Sequence, residues 1–129
     1  MSEIPVTPSV ERAREGFHAQ TVHRVREAVA KHDIVIVGMG WNPHVRWARQ
    51  AIVAAGHANL VHYIEIGNYV SRWRERLAVK LWARWPLFPM VFVRGTLLGG
   101  NARVRKALTD GTFDRLLTEP RAWPAEEAA

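Results

Sequence analysis

Cysteine is absent from the 129-residue sequence. The chain's own side chains therefore form no disulfide, supply no thiolate nucleophile and hold no cysteine-ligated metal cluster. Long apolar runs are missing too. No membrane span and no signal peptide are read from the chain, and the cytoplasm is the expected compartment. Histidines stand at 18, 23, 32, 44, 57 and 62. His18 and His23 have a poor spacing for a helical metal pair, so no metal-ligand constellation emerges. No internal repeat is visible.

The length suffices for one domain with a real core. A hydrophobic fraction of 48% and a charged fraction of 23% are ordinary for a globular protein. Eighteen Lys and Arg against twelve Asp and Glu leave a net charge of +6. That balance suits an acidic partner: nucleic acid, an anionic membrane surface or a carboxylate-bearing small molecule. The basic residues are spread out, so simple solubility explains them equally well. The expected organisation is a flexible lead-in over 1–8, one domain over 9–118 and a flexible tail over 119–129, where Pro120, Pro124 and an Ala-Glu-Glu-Ala-Ala end occur.

Periodicity divides the domain. Val10, Ala13, Phe17, Thr21, Val25 and Val29 recur at helical spacing, which predicts one helix from a Ser9 cap to Lys31-His32. Ile34 to Val37 is a continuous β-branched run, a buried central strand. Asn42 and Pro43 open a second helix as N-cap and first-turn residue, and Gly56 ends it. A strand spans Leu60 to Ile66. Residues 69–84 read as a helix with Val70, Trp73, Leu77 and Leu81 on one apolar side. Trp85-Pro86-Leu87-Phe88-Pro89 then leads into a hairpin, Met90 to Val93 and Thr96 to Leu98, turning at Arg94-Gly95. The glycine pair Gly99-Gly100 opens onto two short helices. A parallel strand–helix–strand unit joined to an antiparallel hairpin gives an α/β fold, a four-stranded mixed sheet with helices on both faces and an extra N-terminal helix.

Three segments resemble the glutaredoxin family of the thioredoxin fold. Ile34 to Trp41 running into Asn42-Pro43-His44-Val45 sits where that family has its Cys-Pro-Tyr-Cys motif. Arg76 to Lys80 running into Trp85-Pro86-Leu87-Phe88-Pro89 is similar to the arginine-bearing helix before the family's proline loop. Val91-Phe92-Val93-Arg94-Gly95-Thr96-Leu97-Leu98-Gly99-Gly100 is similar to its hairpin and glycine pair. The resemblance covers roughly residues 33–117. It implies that Pro89 is a cis proline, and that the backbone at Phe88 pairs with a bound thiol peptide like an added strand.

The departures are equally informative. Asn42 stands at the nucleophile position and Val45 at the resolving one. Met39 replaces the usual lysine, Leu87 the threonine before the proline, and Asn101-Ala102-Arg103 the acidic residue after the glycine pair. Dithiol exchange, monothiol deglutathionylation and thiolate-held iron–sulfur binding are chemically unavailable.

The resemblance leaves a vestigial glutathione groove over Asn42, Pro43, His44, Arg76, Phe88, Pro89, Gly99 and Gly100, with no catalytic residue, no metal and no required cofactor. Each residue also has a plainer role. Pro89 shapes a loop, Asn42 and Pro43 start a helix, His44 is uncommitted or an anion contact, and Gly99 and Gly100 make a tight turn. Arg76 grips a glycine carboxylate or lies solvated on its helix. The leading expectation is a glutaredoxin-like binding or regulatory module for glutathione or a peptide, without thiol redox catalysis. One alternative is a glutathione-dependent enzyme using the bound ligand's thiol, polarised by His44 or Asn42. Another, less favoured, is a nucleic-acid binder stacking bases on Trp73, Trp82 and Trp85 beside Arg72, Arg74 and Arg84.

Overall fold

A computed structural model describes residues 4–124. All five residues of strand β1 (Ile34–Gly38) are buried, and its alternate side chains go to opposite faces of the sheet. Val35 and Val37 join Val25 and Val29 of helix α2 (Ala19–Lys31), Val79 of α4 (Trp73–Ala83) and Phe92. Ile34 and Ile36 join Ile52 of α3 (Pro43–Ala54), Val104 of α5 (Asn101–Asp110) and Phe113 of α6 (Thr112–Thr118). One apolar run thus serves two cores, which is why it shows no polar alternation. Full burial of a side chain such as Phe113 contributes about 1.5–3 kcal/mol.

The other strands are β2 (Val61–Glu65), β3 (Met90–Val93) and β4 (Thr96–Gly99), in the spatial order β2-β1-β3-β4. β1 runs parallel to β2 and antiparallel to β3, and β3 is antiparallel to β4. This is the expected four-stranded mixed sheet, with helices on both faces. Among the described residues no helix is long and apolar enough to cross a membrane.

Three local expectations are corrected. The first helix is two helices. α1 (Pro8–Gly16) is capped by Thr7, whose Oγ1 accepts from the Val10 N–H, so Ser9 lies inside the helix rather than at its cap. The chain breaks at Phe17-His18, with His18 left-handed at φ 45. Gly16 ends α1 and none of that helix is buried, so no packing holds it in line with α2.

α4 starts at Trp73, not at residue 69. Asn68 Oδ1 accepts from the Val70 N–H at 3.0 Å and from the Ser71 hydroxyl at 3.2 Å. That side-chain turn competes with a helical first turn. The stripe expected to be apolar and inward faces solvent: Val70, Trp73, Leu77 and Leu81 are all exposed. Arg76, Ala78 and Val79 make the buried face instead.

Residues 119–124, assigned by composition to a flexible tail, pack along the domain. Arg121 Nη1 donates to Val29 O at 2.6 Å, and the Ala122 N–H to Arg94 O at 2.8 Å. Trp123 lies against Trp82, with ring centroids 6.2 Å apart. Residues 1–3 of the expected lead-in and 125–129 of the expected tail lie outside the described residues.

Candidate ligand groove

Strand register gathers the expected groove at one end of the sheet. Val37 pairs with Met90 and Val91 with Gly99. The end of β1, the Phe88-Pro89 step before β3 and the glycine pair after β4 therefore lie side by side. The Phe88–Pro89 peptide is cis. A Cβ on Gly100 would sit 3.7 Å from Pro89 O, so the Gly100 backbone faces the Pro89 carbonyl. Gly99 has φ +112, and a Cβ there would come within 2.7 Å of Arg103 Cδ and 3.1 Å of Trp85 Cζ2. Glycine is needed at that position both for its backbone angle and for space. Close by, Trp85 Nε1 and Asn101 Oδ1 are buried and take no hydrogen-bond partner among the described residues.

Asn42 caps α3. Its Oδ1 accepts from the His44 N–H at 2.9 Å and from the Val45 N–H at 3.4 Å, with Pro43 in the first turn. First-turn donors of the kind that would otherwise face an anion are turned inward to the cap. His44 is exposed and meets Trp47 edge-on, with centroids 5.2 Å apart. Met39, at the usual lysine position, is buried.

Arg76 is neither solvated nor open along its length. It is 7% exposed, and Nη1 donates to Ile66 O at 3.0 Å and Ser71 O at 2.5 Å. Burial, then the neighbouring Arg72, pushes its guanidinium below its ordinary range. This nitrogen ties down the β2–α4 connection, and any carboxylate grip falls to the rest of the guanidinium.

Two features were not legible in the sequence. Lys80 Nζ lies 5.6 Å from the centroid of the buried Phe88 ring, a cation beside the proline loop. The irregular 84–89 connection hides that proximity from any spacing rule. A cleft of about 570 Å³ lies not on the groove but between α3 and edge strand β2. Of the expected groove residues it shares Asn42.

No protein-family model matches the chain. A glutaredoxin-like protein of Dictyostelium discoideum is 34% identical over 107 residues, spanning 83% of this chain and 85% of that one. The chain belongs to the glutaredoxin-like proteins. Among solved structures, oxidized glutaredoxin 2 from Chlamydomonas reinhardtii superposes with a TM-score of 0.67 at 22% identity, over 78% of this chain and 92% of that one. The buckwheat glutaredoxin–glutathione complex gives 0.65 at 18% identity, over 81% and 93%. At such identities the structures speak for the thioredoxin-type fold. In this glutaredoxin-like chain the helix start at Asn42 carries no sulfur nucleophile, and the cis Phe88–Pro89 step and Gly99-Gly100 lie at one end of the sheet.

Proposed function

We propose that this glutaredoxin-like chain is a binding module that holds a glutathione-like ligand or an extended peptide along Phe88-Pro89, without thiol redox chemistry of its own. One observation carries the reading. The Gly100 backbone faces the Pro89 carbonyl at the sheet end, while Asn42, at the helix start where the resemblance puts the nucleophile, is a self-satisfied cap. A backbone platform with no sulfur beside it supports binding rather than thiol chemistry. The solved buckwheat relative holds glutathione, which supports the ligand class. A ligand here would gain backbone pairing at Phe88, with Lys80 as the nearby cation.

The test is an NMR titration of the labelled full chain with glutathione and with S-methylglutathione. Shifts in the amides of Asn42, Phe88 and Gly100 with both ligands are expected, together with no glutathione-dependent turnover. Silence of those amides at about 10 mM ligand removes the groove. Turnover in the presence of glutathione removes the non-catalytic part.

A further inference from the structure

The cleft between α3 and β2 is built around one glycine. A Cβ on Gly38 would lie 2.6 Å from Val45 Cγ1 and 3.0 Å from Tyr63 Cε1. Its absence lets the Tyr63 ring lean against Val45 and form a floor. The Arg49 guanidinium then lies over that ring, with Cζ 4.1 Å from the centroid. A stacked guanidinium still has its in-plane N–H edge available.

The charges are arranged unevenly. Arg46 and Arg49 both line the cleft, and neither has an acidic partner among the described residues. Glu65, the acid in the same cleft, accepts a 2.9 Å hydrogen bond from the Tyr63 hydroxyl. The lip is apolar: Trp41 is 64% exposed and Val53 is 49% exposed. The cleft also lies at the carboxyl ends of the parallel pair β1 and β2, where connections diverge and open α/β sheets commonly hold ligands. Its volume is that of a small-molecule site.

We propose that this cleft binds a small aromatic acid. The ring rests against Trp41, Val45 and Val53, and the carboxylate takes N–H groups of Arg46 and the in-plane N–H edge of Arg49, which Tyr63 holds from below. A carboxylate matches the planar guanidinium fork. Glu65 favours one negative charge on the ligand over several. The exposed apolar lip, with the Trp41 ring in it, favours a planar ring over a flexible chain. The site shares Asn42 with the expected groove, but its ring and carboxylate contacts lie away from Phe88-Pro89, and it stands whether or not that groove binds glutathione.

The test uses 2-naphthoate, its neutral analogue 2-naphthalenemethanol and the saturated cyclohexanecarboxylate, titrated into the labelled full chain. Naphthoate is expected to shift the amides of Trp41, Arg49, Gln50 and Glu65 and to saturate at about 1 mM or below, with each of the other probes weaker by ~10-fold. Arg49→Met is expected to weaken naphthoate by ~10-fold. Tyr63→Phe keeps the ring and is expected to keep the binding. Arg46, exposed on α3, supplies a second variant, Arg46→Met, should the first perturb the fold. The proposal is overturned if naphthoate shifts only the amides of Phe88 and Gly100, if either control probe binds equally well, or if nothing binds at about 10 mM.

Discussion

Arg94 Nη1 donates to Asp33 Oδ1 at 2.9 Å, joining the β3–β4 turn to the residue before β1. The Arg94 N–H donates to Asp33 O at 2.7 Å, and its Nε to Glu119 O at 3.0 Å. One side chain therefore fastens the hairpin turn, the start of the central strand and the C-terminal segment. Arg94→Ala is expected to cost about 1–2 kcal/mol, with the ion-pair part discounted because both side chains are partly exposed. Urea unfolding measures this. An unchanged midpoint would mean that the segment packs without the pair.

Asn42 is predicted to act as a cap and nothing more in the unliganded chain. Asn42→Ala should lose about 1 kcal/mol of stability, read as a shift in melting temperature. Asn42→Cys is the sharper probe, since a thiol at a helix start is held below its ordinary pKa of about 8.5. Alkylation by iodoacetamide should then proceed at neutral pH faster than for a free thiol. A rate equal to that of cysteine in a peptide would argue that the helix start is not poised for anions.

Arg76→Gln should be among the most damaging single changes, at roughly 2–3 kcal/mol. It leaves the Ile66 and Ser71 carbonyls unpaired in a buried site. Hydrogen exchange should report the loss first in the 66–72 connection. If stability holds and only glutathione shifts vanish, Arg76 is a ligand residue instead.

Leu81→Gln and Trp73→Gln should each change stability by less than about 0.5 kcal/mol, because those side chains already face water. Val79→Ala, on the same helix but fully buried, should cost about 1–2.5 kcal/mol. Equal effects at the outer and inner positions would contradict the helix rotation described above.

His62 stacks on His32 with ring centroids 4.1 Å apart. Burial first, then the charges of His32 and Arg24, holds His62 below its ordinary value of 6.5. The folded state thus disfavours protonated His62, and the unfolded state binds more protons as pH falls below that value. Stability should be intact above pH 6.5 and decline beneath it, down to the lowered folded value. His62→Gln should flatten this slope below pH 6.5 in denaturant titrations. A slope that survives the substitution would place its origin elsewhere.

Much of the architecture is legible in local chemistry. The β-branched run at Ile34–Val37 cannot be solvated, so it lies at the sheet centre. Asn42-Pro43 starts a helix because of its side-chain oxygen and its fixed φ. Arg94-Gly95 turns with both residues at positive φ, which Gly95 adopts freely. These are properties of single residues and near neighbours, and they place the proline loop and glycine pair at one sheet end through the register they impose. The same residues, with no cysteine among them, settle that the chain's own side chains carry no thiol chemistry.

Other features needed the folded chain. Which side of α4 faces inward shows only in the fold. Arg76, Ala78 and Val79 are buried there, and Arg76 donates to the Ile66 and Ser71 carbonyls. The segment after residue 118 looks unstructured by composition. Yet Arg121 and Trp123 find partners on α2 and α4 that are distant in sequence. The cleft over Gly38 exists only because β1, α3 and β2 meet there, bringing Val45 and Tyr63 within contact of a missing side chain. Pairings between residues far apart in sequence leave no periodic trace, so only tertiary structure could decide them.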